Sequence, residues 1–158
     1  MSEISHEPLL KEFPDAHWDE AACAVIVPEG KARTIGEWLQ EQGVDYCSNV
    51  TGVDYLESEV KEKITNEAGE EETVTRTEPG RIDVVYHLYS MRDQTGPLVI
   101  KQRTSRENAQ VESLTPLWRS CELQEREVFD LFGVDFKGHP DQRRILMWDE
   151  FEGHPMRK

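Results

Sequence analysis

The sequence predicts an α+β fold: a mostly antiparallel sheet with flanking helices, followed by an extended C-terminal docking arm. Three observations lead there. Short apolar runs rich in β-branched residues recur between Pro, Gly and Asp, at hairpin-like spacing early in the chain. Helical patterns fall irregularly among them, where a doubly wound fold would alternate helix and strand. Beyond Phe136 the chain leaves both periods and carries two Gly-His-Pro elbows, "GHPDQRR" and "GHPMRK".

Each element has its own signal. "AACAVIVPEG" is an apolar run stopped by Pro and Gly, a strand over about 21–27. "KARTIGEWLQEQG" places Ile35, Trp38 and Leu39 on one helical face, with Gly43 as the stop. "YCSNVTGVDYLESE" reads as a second strand. Residues 57–80 are Glu-rich with few large apolar side chains, and read as an acidic loop or hairpin insertion. "RIDVVYHLYSM" alternates Ile82, Val84, Tyr86 and Leu88 against Asp83, Val85, His87 and Tyr89. "PLVIKQRT" is another strand, after a turn expected at Gly96-Pro97. "SLTPLWRSCELQEREVFDLFG" is helical in its second half. There Val128, Phe129 and Phe132 share a face with Glu125, and Glu122 precedes Arg126 in the order that favours an ion pair. Gly133 suits the left-handed position that ends a helix. The expected organisation is a compact body over 1–105, a connecting segment and helix over 106–132, and an extended partner-docking arm over 133–158.

Composition narrows the function. The chain has 158 residues, 37% hydrophobic and 32% charged, with a net charge of −14. Such an acidic chain repels a long anionic polymer, so nucleic acid is not an expected partner. No apolar run approaches the roughly 20 residues that span a bilayer, so membrane association is expected only through partner subunits. The acidic N-terminus lacks the apolar core of a signal peptide, and a cytoplasmic location is expected. Cys23, Cys47 and Cys121 are widely spaced and form no CxxC. An iron–sulfur cluster ordinarily takes four thiolates, so none is expected in this chain.

The densest chemistry lies in "EREVFDLFGVDFKGHPDQRRIL", residues 125–146. Gly138 and Gly153 permit positive φ. His139 and His154 precede prolines and are biased to extended backbone, while Pro140 and Pro155 fix φ. The expectation is two elbows, each presenting an imidazole and a cation pair. Val134, Phe136, Ile145, Leu146, Met147, Trp148 and Phe151 need cover, worth roughly 1.5–3 kcal/mol for each large side chain, and aromatic, Met and Arg anchors fit an interface. A metal reading of His139, Asp141, Glu152 and His154 matches no compact zinc spacing. An acid–base set of Glu125, Glu127 and Asp130 comes with no pocket signature. The favoured reading is an ion-pair network of these carboxylates with Arg126, Arg143 and Arg144. No Gly-rich phosphate loop occurs.

This stretch, with "FEGHPMRK" after it, closely resembles the signature of the C-type subunits of NADH–quinone oxidoreductase, the 30 kDa subunit family of respiratory complex I. The matching positions are Glu125, Arg126, Glu127, Asp130, Gly133, Phe136, Gly138, His139, Pro140, Asp141, Arg143 and Arg144, with His154 in the second elbow. The resemblance implies a non-catalytic, cofactor-free structural subunit of the hydrophilic arm of a translocase. FMN, Fe–S clusters and quinone are then expected in partner subunits. The implied partners are the D-type quinone-site subunit and the small B-type Fe–S subunit, on the cytoplasmic side of a bacterial inner membrane. The alternative is the equivalent subunit of a ferredoxin-, F420- or hydrogenase-type membrane complex.

Overall fold

The computed structural model describes residues 2–65 and 71–158. A short helix, α1 (Glu7–Glu12), leads into strands β1 (His17–Asp19) and β2 (Ala24–Val27). Helix α2 (Ala32–Glu41) precedes β3 (Tyr46–Tyr55). A hairpin of β4 (Ser58–Thr65) and β5 (Glu71–Glu78) separates β3 from β6 (Arg81–Ser90) and β7 (Thr95–Ser105). After β8 (Gln110–Glu112) come a 3-10 turn (Arg119–Cys121), helix α3 (Glu122–Phe132) and β9 (Asp135–Lys137). The five-stranded sheet runs β1-β2-β7-β6-β3 and is antiparallel except between β2 and β7.

The period-2 pattern of β6 sorts as expected. Ile82, Val84, Tyr86 and Leu88 join one core with Leu9 of α1, Ile35 and Leu39 of α2, and Val128 and Phe132 of α3. The opposite face holds ion pairs, with the Arg103 guanidinium 2.9 and 3.1 Å from the Asp83 carboxylate and Lys101 3.6 Å from Asp19. α3 can approach β3 because Gly52 lacks a side chain: a Cβ there would stand 2.8 Å from the Phe132 ring. Two side chains near the start of α3 occupy the edge of β3. Ser120 Oγ donates to the Cys47 carbonyl at 2.7 Å, and Gln124 accepts from the Val50 amide at 2.7 Å. These bonds take up two backbone groups of an edge strand that could otherwise pair with another chain.

The acidic insertion takes the hairpin form of the two expected, with pairing from Ser58↔Glu78 to Thr65↔Glu71, and its tip, 66–70, lies outside the described residues. The fold departs from the expected elements in three places. α1 and β1 carried too few residues for a periodic signal. The turn into β7 falls at Met91–Gln94, and Gly96-Pro97 already lies in the strand. The largest correction concerns 133–158. It is not a free extended arm, because Val134 and Phe136 are core residues and β9 pairs in parallel with β8. Two long-range backbone bonds, Asp135 N–H to Ala109 and Ser113 N–H to Lys137, bracket that pairing.

Candidate functional site

The signature residues converge on α3 and the tail that returns over it. An α-helix turns about 100° per residue, so Glu125 and Asp130 leave α3 in different directions. Both are 0% exposed.

Glu125 points into the core. Its Oε1 accepts from the Leu114 amide at 2.8 Å and the Tyr86 hydroxyl at 3.2 Å. Its Oε2 accepts from Ser113 Oγ at 2.5 Å and Thr115 Oγ1 at 2.9 Å. Burial raises its carboxyl above the ordinary value, and these donors oppose that rise without cancelling it. His139 stands beside it, with Nε2 3.9 Å from Glu125 Oε2 and 3.0 Å from the Glu122 carbonyl. Its Nδ1 accepts the Asp141 amide at 3.1 Å, which fits the tautomer protonated at Nε2. One carboxylate thus ties together β6, the segment after β8 and the first elbow.

Asp130 points at the tail. Its Oδ2 accepts three consecutive amides, those of Ile145, Leu146 and Met147, at 3.1, 2.8 and 2.8 Å. Arg144 Nη1 lies 2.8 Å from its Oδ1. Burial alone would raise the Asp130 carboxyl, but the three amides and the guanidinium more than offset that, and it sits below its ordinary range. Arg126, one turn earlier, donates to the Arg143 and Arg144 carbonyls, each at 3.1 Å.

The second elbow closes the arrangement. Gly133 adopts φ +66, and the His154 ring lies where a Cβ at 133 would stand. His154 Nδ1 is 3.0 Å from the Asp130 carbonyl. Gly138 and Gly153 also have positive φ, +83 and +88. At the C-terminus, Arg157 donates to the carbonyls of Phe132 (2.6 Å), Arg106 (3.0 Å) and Gly133 (3.3 Å). Asp54 accepts two bonds from Arg106, at 2.6 and 2.9 Å, and the Lys158 amide at 2.7 Å. The Arg106 guanidinium, with help from that amide, holds the Asp54 carboxyl below its ordinary range.

Several expectations are corrected here. The ion-pair network is mostly a network of carboxylates and guanidinia with backbone. Only Arg144–Asp130 forms as a pair between the named groups; Arg143 pairs with its neighbour Asp141 at 3.0 Å. Glu122 pairs with Arg119, not Arg126. The elbows do not present their imidazoles: the His139 side chain is 1% exposed, and His154 turns toward α3. Glu125, Arg126, Asp130 and Phe136 are buried by this chain's own atoms, so in this conformation they fasten the tail and do not face outward. Glu127, Gly138, Pro140, Asp141 and Arg143 remain on the surface. Among the described residues no group of three or more His, Cys, Asp or Glu is placed to hold a metal.

The reading of the residues did not single out Asp54, Arg106, Ser113, Thr115 and Arg157. One signal existed: Asp54 is in phase with Val50 and Gly52 on the helix-covered face of β3, where an unpaired carboxylate would be costly.

Outside these bonds, apolar surface collects. Of the nine exposed large apolar side chains among the described residues, five belong to α3 and the tail: Leu123, Ile145, Leu146, Trp148 and Met156. Trp148 packs edge-to-face on Phe151 at 4.9 Å between centroids and is still 63% exposed.

Comparison with known proteins places this architecture. Residues 25–158 match the family described as respiratory-chain NADH dehydrogenase, 30 Kd subunit. The NADH-quinone oxidoreductase C subunit of Moorella thermoacetica is 36% identical, covering 96% of this chain and 90% of its own. The second C subunit of the same enzyme in Rhizobium etli is 46% identical, over 98% and 75%. Among solved structures, a trypsin-resistant fragment of Nqo5 superposes with a TM-score of 0.59 at 26% identity, over 85% of this chain and 97% of the fragment. A chain of an archaeal membrane-bound sulfane sulfur reductase, at 21% identity and a TM-score of 0.62, shares the fold over 91% of this chain and 75% of its own. The family match and these relatives make the chain a subunit of a respiratory-chain oxidoreductase. The chain belongs to the 30 kDa subunit family of respiratory-chain NADH dehydrogenase, the family of the NADH-quinone oxidoreductase C subunits.

Proposed function

We propose that the chain is a cofactor-free structural subunit of the hydrophilic arm of a proton-pumping NADH:quinone oxidoreductase, without activity of its own. It docks on the D-type quinone-site subunit, near the small B-type Fe–S subunit, and lies peripherally on the cytoplasmic side of the membrane. FMN, Fe–S clusters and quinone belong to its partners. The observation that carries this reading is the pairing of a rigidly fastened tail with exposed anchors. Asp130, Arg126 and Arg157 hold the tail, while Leu123, Ile145, Leu146, Trp148 and Met156 stay uncovered. Holding the anchors in advance lowers the ordering cost of association. A quinone pocket needs its groups held within about 0.5 Å, so a protein with no chemistry can still set the rate by supporting the one that has it.

The test is a tagged pull-down from gently solubilised host membranes, analysed by mass spectrometry. Recovery with a quinone-site subunit, cluster proteins and an NADH-oxidising flavoprotein is the expected result. Recovery without the flavoprotein would assign the chain to a ferredoxin-, F420- or hydrogenase-type relative. Recovery alone would overturn the docking role.

A further inference from the structure

We propose that the turn at residues 148–151 is an acidic docking knob, received by an apolar pocket rimmed with lysine and arginine on the partner subunit. The proposal rests on the docking role assigned to the tail and adds the chemistry of the surface that receives it. Residues 138–158 carry four acidic and four basic side chains, so the tail is neutral by composition. The fold separates the signs. Arg144 turns onto Asp130 and the Gly153 carbonyl, and Arg157 onto the carbonyls of Phe132, Arg106 and Gly133. Arg143 is neutralised by its neighbour Asp141 at 3.0 Å. Lys158 is exposed, with its amide held at Asp54 of β3. Asp149, Glu150 and Glu152 are exposed, and none has a cationic partner among the described residues. Around the turn, three carboxylates therefore remain uncompensated.

The turn is built to hold its shape. The Phe151 amide donates to the Trp148 carbonyl at 3.0 Å, and the two rings meet edge-to-face. The Arg144 guanidinium lies 5.8 Å from the Phe151 ring centroid, so the ion pair that clasps the tail also supports the turn. Asp149 and Glu150 form its tip between the two aromatic residues, and Glu152 follows directly. An aromatic anchor contributes most when a partner encloses it. Enclosing Trp148 brings the partner's surface against these carboxylates. Left without cations opposite, they would oppose binding; lysine or arginine at the rim pairs with them. Anionic lipid headgroups would repel the same turn, so the receiving surface is protein. With a chain charge of −14, a cationic rim also steers the encounter at longer range.

The test repeats the tagged pull-down with the full chain carrying Asp149→Lys, Glu150→Lys and Glu152→Lys. Recovery of the large partner should fall at least tenfold, because like charges then face one another across the interface. The same change of charge at three exposed acids of α1 and α2, Glu12→Lys, Glu37→Lys and Glu41→Lys, should leave recovery near that of the wild type. Both variants should melt with the wild type, because every substituted residue is exposed. Undiminished recovery of the tail variant, while Trp148→Ala still loses the partner, would overturn the cationic rim and leave docking by the tail standing. Undiminished recovery of both would overturn the rim and the docking surface together. Equal losses from the two lysine variants would trace the effect to net charge and overturn the proposal as well.

Discussion

Arg144 and Asp130 form an ion pair across the joint between tail and helix, 2.8 Å from Nη1 to Oδ1, with the carboxylate 0% exposed. The carboxylate also accepts three successive amides of the tail, so the pair is one member of a four-donor clasp. Removing one partner leaves the others buried without compensation, and breaking such a pair typically costs about 3–5 kcal/mol. Asp130→Ala should therefore lower unfolding free energy by that order in a urea titration. It should also open the tail to trypsin near Arg143 and Arg144. Arg143→Ala, at an exposed local pair with Asp141, should change stability by less than about 0.5 kcal/mol. Equal effects from the two substitutions would contradict the geometry.

Gly133 and His154 share one volume. Alanine at 133 would meet a backbone strained at φ +66 and the imidazole lying over it. The expected cost is about 1–3 kcal/mol. His154→Ala should relieve the steric part, so the double variant should be less damaged than the sum of the singles. Additive losses in chemical denaturation would show that the ring does not occupy that space.

The two buried carboxylates of α3 titrate with opposite signs. Glu125 is raised above its ordinary 4.5 by burial. The folded state therefore holds its proton more tightly than the unfolded one, and stability falls as pH rises from about 4.5 through the folded value. Glu125→Gln keeps the shape and should flatten that slope. Glu125→Ala strands Ser113, Thr115, Tyr86 and the Leu114 amide and should cost about 3 kcal/mol or more. A wild-type slope retained in Glu125→Gln would assign the titration to another group.

Asp130 and Asp54 are held below their ordinary 3.8, the first by amides and Arg144 outweighing burial, the second by Arg106. Their contribution is fully present above 3.8 and is lost as pH falls through the lower folded values. The tail should loosen first in acid, because both groups fasten it. Protection factors of the amides at residues 145–147 and at 158 should fall as pH drops below 3.8, ahead of those of β6 and β7. Simultaneous loss of protection everywhere would remove the tail as a separate unit.

Trp148→Ala and Leu146→Ala alter side chains 63% and 56% exposed. Chain stability should move by less than about 0.5 kcal/mol. Co-purification with the large partner should fall at least tenfold, as truncation of an aromatic anchor does at an interface. Undiminished recovery of the complex would place the docking surface elsewhere.

Much of the framework was legible in local windows. β6 sorted its residues onto two faces as its alternation required, because a strand's period is a property of its own backbone. Gly133, Gly138 and Gly153 took the positive φ their contexts called for. The spacing of acids, arginines and elbows from Glu125 to Arg144 pointed to the family that the comparison then showed. The direction of each charge was not legible. Hydropathy marks Glu125 and Asp130 alike as surface residues, yet both are enclosed, one by β6 and the segment after β8, the other by the returning tail. Their partners lie 10 to 39 positions away, and the Asp54–Lys158 bond spans 104. Bonds of that reach depend on which strand lies beside which helix after the chain has folded. A buried carboxylate is tolerable only once those donors arrive together. The sequence by itself determined the longer elements, their faces and the family. The tertiary structure decided that the signature fastens the chain to itself and leaves an apolar surface outside.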